Sequence, residues 1–149
     1  MARKRLPLPN MPATFYRNGR NRTILVVEDE AVIRYILHII LKRMGHLVLE
    51  ACDGEEGLVV SRKFKDRIDL VIADIRMPRV DGPTMVRHLQ AERPGMKVLL
   101  ISGYPGESVP NELTRDFLPK PFRPAAIEQK VHEMLARDEA MSPVEELFK

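Results

Sequence analysis

Four short stretches carry residue types that could do chemistry, and each sits at the end of an apolar run. Glu28 and Asp29 follow residues 24–27, Asp74 follows 68–73, Ser102 follows 98–101, and Lys120 with Pro121 comes just after 116–118. Carboxylates converging from two such runs would repel one another unless a cation lay among them, and hard oxygen donors with water suit Mg²⁺ better than a softer metal. A lysine and a hydroxyl close by are what a transferred phosphoryl group needs, because its oxygens carry charge that cations and hydrogen-bond donors stabilise. Together the residues read as a carboxylate nucleophile, a metal site and a phosphate clamp. Any one of them alone has an ordinary explanation: Asp74 as a turn or cap, Lys120 as a solvated lysine, Ser102 as a loop hydroxyl. Their shared placement is what favours chemistry.

That placement requires a particular scaffold. Apolar runs at 24–27, 47–49, 68–73, 98–101 and 116–118 alternate with helical patterns at 31–44, 55–65, 84–92 and 125–137. Strand and helix in alternation predict an α/β fold, a parallel sheet covered on both faces, since a parallel crossover needs a helix and buries both sides of each strand. In doubly wound sheets ligands bind outside the carboxyl ends of the strands, where the four stretches fall. Gly45 marks the end of the first helix, Asp53-Gly54 a turn, and Pro78, Gly82 and Pro83 a break after the third strand. Ile33, Ile36, Leu37, Ile40, Leu41 and Met44 form one core stripe on the first helix, with Val32, Tyr35 and Ile39 as a second apolar set beside it. Only 103–114 separate Ser102 from the fifth strand if that strand is 115–118, and Pro105 and Pro110 lie within them. The fourth helix, between strands four and five, is therefore expected to be short or absent.

The segments VVEDE at 26–30, DIRMPRVDG at 74–82, ISGY at 101–104 and FLPKPF at 117–122 resemble the receiver domain of two-component response regulators over roughly residues 23–137. The resemblance implies a flavodoxin-like, five-stranded parallel sheet of order 2-1-3-4-5. It makes Asp74 the phosphoacceptor, supplied from a phosphohistidine on a histidine kinase or a histidine phosphotransfer protein. It implies Mg²⁺ held by Asp29, Asp74 and the backbone carbonyl of Arg76, with Glu28 assisting through water. Lys120 would pair with the phosphoryl oxygens, Ser102 would turn to hydrogen-bond the phosphate, and Phe117 would be the aromatic switch that follows Ser102 inward. Arg76 and Tyr104 stand at the family's gating positions for water, and the Lys120–Pro121 bond matches its cis peptide. Ser102 replaces the commoner threonine and Glu28 the commoner aspartate, with hydroxyl and charge retained.

Composition narrows the alternatives. A chain of 149 residues, 44% hydrophobic and 30% charged, is sized for one globular domain. The net charge is +3, but residues 1–22 hold Arg3, Lys4, Arg5, Arg17, Arg20 and Arg22 and no acid, so these six cations leave −3 for 23–149. The basic character belongs to a leader, expected to be mobile, and argues against a nucleic-acid-binding domain surface. One cysteine, Cys52, excludes an internal disulfide and a cysteine-rich zinc site, and suits a reducing compartment. No apolar run nears the length of a signal peptide's core or a membrane span, so the expected compartment is the cytoplasm. Residues 138–149 form an extension, in which Ser142-Pro143-Val144-Glu145 has the pattern of a helix start and suits a short further helix.

The reading is thus a stand-alone receiver, a signalling module that catalyses only its own phosphorylation and dephosphorylation. Its alternatives are a receiver fragment of a hybrid histidine kinase or longer regulator, and a phosphatase that forms an aspartyl-phosphate. The last would want a second Asp two residues after the nucleophile, where Arg76 stands. Output target and oligomeric state are not written in the sequence.

Overall fold

In a computed structural model of the protein, the described residues are 21–103 and 116–147, with side chains described through 137. The elements run β1 (Thr23–Val27), α1 (Ala31–Arg43), β2 (Leu47–Ala51), α2 (Gly54–Lys63), β3 (Leu70–Asp74), α3 (Gly82–Glu92), β4 (Lys97–Ser102), β5 (Phe117–Pro119) and α4 (Pro124–Leu147). All five strands are parallel in the order β2-β1-β3-β4-β5, the flavodoxin-like arrangement the sequence implied. The segment expected to hold a short helix or none, together with the leader before Asn21, lies outside the described residues.

Alternation along the strands splits the core in two. Ile24 and Val26 of β1, with Leu70, Ile72, Leu99 and Ile101, pack against Leu37, Ile40 and Leu41 of α1 and Ile127, Val131 and Met134 of α4. Leu25 and Val27, with Val71, Ala73 and Leu100, face Met85, Val86 and Leu89 of α3. Successive strand side chains point to opposite faces, so covering both faces requires apolar residues at every position of the central strands.

Several boundaries moved from their sequence-based positions, each for a local reason. Gly82 and Pro83 do not break the chain before α3 but form its first turn: Asp81 is the N-cap, accepting the Thr84 N–H, and proline's missing N–H costs nothing there. Asp53 likewise caps α2, its Oδ1 accepting from Glu56 N at 2.8 Å. On α1, Ile36 leaves the core stripe and joins Val32 and Tyr35 on the exposed face, because the first turns of α1 overhang the cleft at the strand ends instead of the sheet. Instead of a separate helix beginning at Ser142, α4 runs unbroken to Leu147. Extending a formed helix is far cheaper than nucleating one, and residues 138–141 are adequate helix formers.

Arg22 belongs to the domain and not to the leader. It is buried, pairs with Asp69 at 3.6 Å, and its N–H donates to His46 Nδ1 at 3.3 Å. Burial, reinforced by the Arg22 charge, pushes the His46 pKa from 6.5 down to about 4. Because the folded protein keeps His46 neutral while the unfolded chain protonates it near 6.5, the unfolded state binds more protons between about pH 4 and 6.5, and stability falls as pH drops through that window. Urea unfolding should show His46→Gln losing less stability than wild type between pH 7 and 4.5, by about 2 kcal/mol. Parallel losses in the two proteins would remove His46 as the cause.

Candidate functional site

The carboxyl ends of β1, β3 and β4 open into a cavity of about 1020 Å³ whose walls include Asp29, Asp74, Arg76, Gly103, Lys120 and Phe122. Parallel pairing sets β1 and β3 side by side, Val27 opposite Ala73, so the residues that follow, Glu28 and Asp74, emerge together. Glu28, Asp29 and Asp74 each offer a carboxylate oxygen, and these lie within 4.8 Å of one another. Glu28 and Asp74 are buried while Asp29 is exposed to the cleft.

Lys120 ties the acids together. Its Nζ donates to Glu28 Oε1 and to Asp74 Oδ2, each at 3.0 Å, with Glu30 Oε1 at 3.8 Å. Burial works against the lysine's charge, but the hydrogen bonds to Asp74 and Glu28 outweigh it and hold its pKa above the usual value. For Glu28 the charged form is the one disfavoured: burial, then the Asp74 charge, push its carboxyl up to about 7 despite Lys120. Its second oxygen, Oε2, is buried with no hydrogen-bond partner. An orphaned buried carboxylate oxygen, three hard oxygen donors and mutual repulsion are the features that a small divalent cation satisfies. The residues present therefore fit Mg²⁺.

The remaining sequence-predicted residues take their places around this cluster. Arg76 donates its backbone N–H to Asp74 Oδ1 at 3.2 Å and lines the cavity. Ser102 ends β4, buried, and its carbonyl accepts the Lys120 N–H at 2.7 Å, which couples the hydroxyl-bearing strand directly to the lysine. The Lys120–Pro121 peptide is cis, as expected from the resemblance. Phe117 on β5 lies on the surface, 39% exposed. Tyr104 lies outside the described residues. Cys52 is exposed, and its thiol donates to Glu56 Oε2 at 2.8 Å, which raises its pKa.

Sequence reasoning passed over three supports. Arg34 on α1 donates to the Glu28 carbonyl at 2.7 Å, anchoring the acidic end of β1. Arg79 bonds Asp53 Oδ2 at 2.8 Å. Gly82 closes the loop after Asp74, its N–H donating to the Ile75 carbonyl at 3.0 Å, so tightly that a Cβ there would overlap the Asp74 carbonyl oxygen. Glycine in DIRMPRVDG was the only hint, and it could be read as a simple breaker.

With this geometry the family is defined. The family model of the response regulator receiver domain matches residues 24–132, and the chain belongs to that family. It is 36% identical over 121 residues to the sensor kinase CckA of Brucella abortus, covering 78% of this chain and 13% of that protein. It is 31% identical over 131 residues to the alkaline phosphatase synthesis transcriptional regulatory protein PhoP of Bacillus subtilis, covering 85% of this chain and 54% of that protein. It superposes with a TM-score of 0.71 on the receiver domain protein of Clostridium thermocellum, at 26% identity, covering 80% of this chain and 98% of that one. The chain thus spans about half or less of the two curated relatives. It contains a receiver domain, a signalling module of two-component systems. Among the described residues no helix is long and apolar enough to cross a membrane.

Gly82→Ala tests the tight closure of the Asp74 loop. Backbone atoms cannot yield as a flexible side chain would, so the substitution should cost about 2–3 kcal/mol in urea unfolding. Unchanged stability would mean that the loop has room to relax.

Proposed function

We propose that the protein accepts a phosphoryl group from a phosphohistidine of a histidine kinase or histidine phosphotransfer protein onto Asp74, and signals by the change of surface that follows. The observation that carries this reading is Lys120 Nζ held at 3.0 Å from both Glu28 and Asp74 in an open cleft. An Asp74 carboxylate oxygen attacks phosphorus as the bond to the imidazole nitrogen breaks, and the imidazole leaves with the shared electron pair. Lys120 is placed to neutralise phosphoryl oxygens, and Asp74 keeps one oxygen oriented by the Arg76 N–H. Glu28, Asp29, Asp74 and the Arg76 carbonyl would hold Mg²⁺. When bound, that ion would offset the charge that the phosphoryl group adds to an already acidic site.

Ser102 would then donate its hydroxyl to a phosphoryl oxygen, and Phe117, now on the surface, would turn into the space this leaves. The exposed face of α1, with Val32, Tyr35 and Ile36, the last of which lines the cleft, suits an apolar partner surface that brings the phosphohistidine to Asp74. In this reading residues 1–21 are a leader, the receiver begins at the buried Arg22, and residues 138–149 extend it, helix α4 running on into them as far as Leu147, in the cytoplasm. Similarity to a sensor kinase and to a transcriptional regulator, each matched over part of its length, supports a second reading in which the chain is the receiver portion of a hybrid kinase or longer regulator.

Acetyl phosphate labelling decides the assignment. Asp74→Asn should abolish acyl-phosphate formation with the fold intact, and wild-type labelling should require Mg²⁺; stoichiometric acyl-phosphate on the Asn variant, or equal labelling without Mg²⁺, sinks it. Arg76 and Tyr104, large residues at the two water-gating positions, should keep the phosphorylated state long-lived. Phosphoprotein decay should accelerate in Arg76→Ala and Tyr104→Ala, and the same lifetime in both variants would show that neither side chain shields the acyl-phosphate.

A further inference from the structure

Five residues beyond Asp74 the chain makes a three-residue turn of the rare hand: Val80 N–H donates to the Pro78 carbonyl at 2.9 Å, and Arg79 between them has φ 69°. Among the described residues it is the one non-glycine with positive φ. A Cβ-bearing residue adopts this backbone only against strain, so some interaction must hold it.

The surroundings supply one. Arg79 Nη2 donates to Asp53 Oδ2 at 2.8 Å, and its Nη1 lies 3.6 Å from Glu55 Oε2. Asp53 is mostly buried and fixed, since its other oxygen caps α2 through the Glu56 N–H. The first residue of α2 sits directly under the turn: a Cβ on Gly54 would lie 2.5 Å from the Val80 carbonyl oxygen. The turn is therefore pressed backbone to backbone against the start of α2 and clamped by an ion pair across the same contact. An exposed ion pair contributes little by itself, but a charge already immobilised and desolvated gives a defined anchor. On its other side the loop is short and closed by Gly82 on Ile75, so a shift of residues 78–80 is passed to Arg76 and to the Asp74 carboxylate that Arg76 N–H orients.

We propose that Arg79 is a positioning residue: its pair with Asp53 pins the strained Pro78–Arg79–Val80 turn to the start of α2 and so holds Asp74 and the Arg76 backbone in the arrangement that binds the divalent cation. This rests on the phosphoacceptor reading of the site, but the latch itself is a property of the loop and can be measured without any metal.

The test uses the full chain with Arg79→Gly, Arg79→Gln, Arg79→Lys, Asp53→Asn and the Gln/Asn double variant. Asparagine keeps an oxygen for the α2 cap, and glycine relieves the backbone strain, so loss of fold does not obscure the result. Readouts are the melting temperature, Mg²⁺ affinity by calorimetry, and amide hydrogen exchange of residues 75–82 without Mg²⁺. Arg79→Gly should melt at or above wild type, yet bind Mg²⁺ about three- to tenfold more weakly and exchange faster over 75–82. Arg79→Lys should recover most of the loss, and the double variant should be no worse than either single one. Unchanged Mg²⁺ affinity and unchanged exchange in Arg79→Gly, or additive losses in the double variant, would overturn the proposal. Should wild type itself bind no Mg²⁺, the metal reading falls, while exchange over 75–82 still decides the latch: faster exchange in the variants supports it and identical exchange removes it.

Discussion

Three carboxylates brought together at the ends of two adjacent strands are the constraint on which the rest of the molecule depends. Burial of the acids, and then Coulombic repulsion between Glu28 and Asp74, would drive those ends apart or force a proton onto one of them, and Glu28, pushed up to about 7 by burial first and Asp74 second, sits near that limit. The sheet prevents separation, because β1 and β3 are joined by hydrogen bonds along their length and buried on both faces. Lys120 relieves part of the repulsion by donating to both acids at once. What remains is a site whose donors fit a further cation, and Glu28 Oε2, buried without a hydrogen-bond partner, is where the deficit shows.

The sheet separates this tension from the parts that hold the fold. At the amino ends of the strands Asp69 gathers Arg22, Arg67 and the Thr23 N–H, a satisfied cluster with no cleft role in the proposed chemistry. Along α4, Asp116 takes Arg137 and Lys130; burial acts to raise its pKa, but those two partners win and hold it below the usual carboxylate value. Lys97 adds a bond to the Met134 carbonyl. These ties fix the last helix beside β4 and β5, so that the Lys120 loop between β5 and α4 starts from a braced frame. Acids with matched cations make structure here, and acids without enough cations make the site.

The loop after Asp74 shows how far backbone geometry carries the chemistry. Gly82 permits an approach no other residue allows, Arg79 accepts a strained conformation, and Asp53 serves as cap and anchor together. Each would be unremarked as a residue type. For Arg79 and Asp53 the meaning comes from the contact between α2 and the loop, 26 residues apart in the chain and adjacent only after the sheet has formed.

Sequence alone determined the architecture and which polar residues gather at the strand ends, because strand-end position follows from apolar periodicity and parallel topology puts every strand's carboxyl end on one edge. Glu28, Asp29, Asp74, Ser102 and Lys120 were legible for that reason, and so was the order of the sheet once the motifs matched the receiver pattern. Tertiary structure decided what periodicity cannot encode. It moved Ile36 out of the core, since the facing surface and not the helix stripe settles burial, and drew Arg22 out of the leader by giving it Asp69 and His46 as partners. It carried α4 past Ser142, because a capping pattern competes with a helix already under way. Only the folded chain pairs Arg79 with Asp53, for an ion pair between two loops depends on distances in space that no local spacing records.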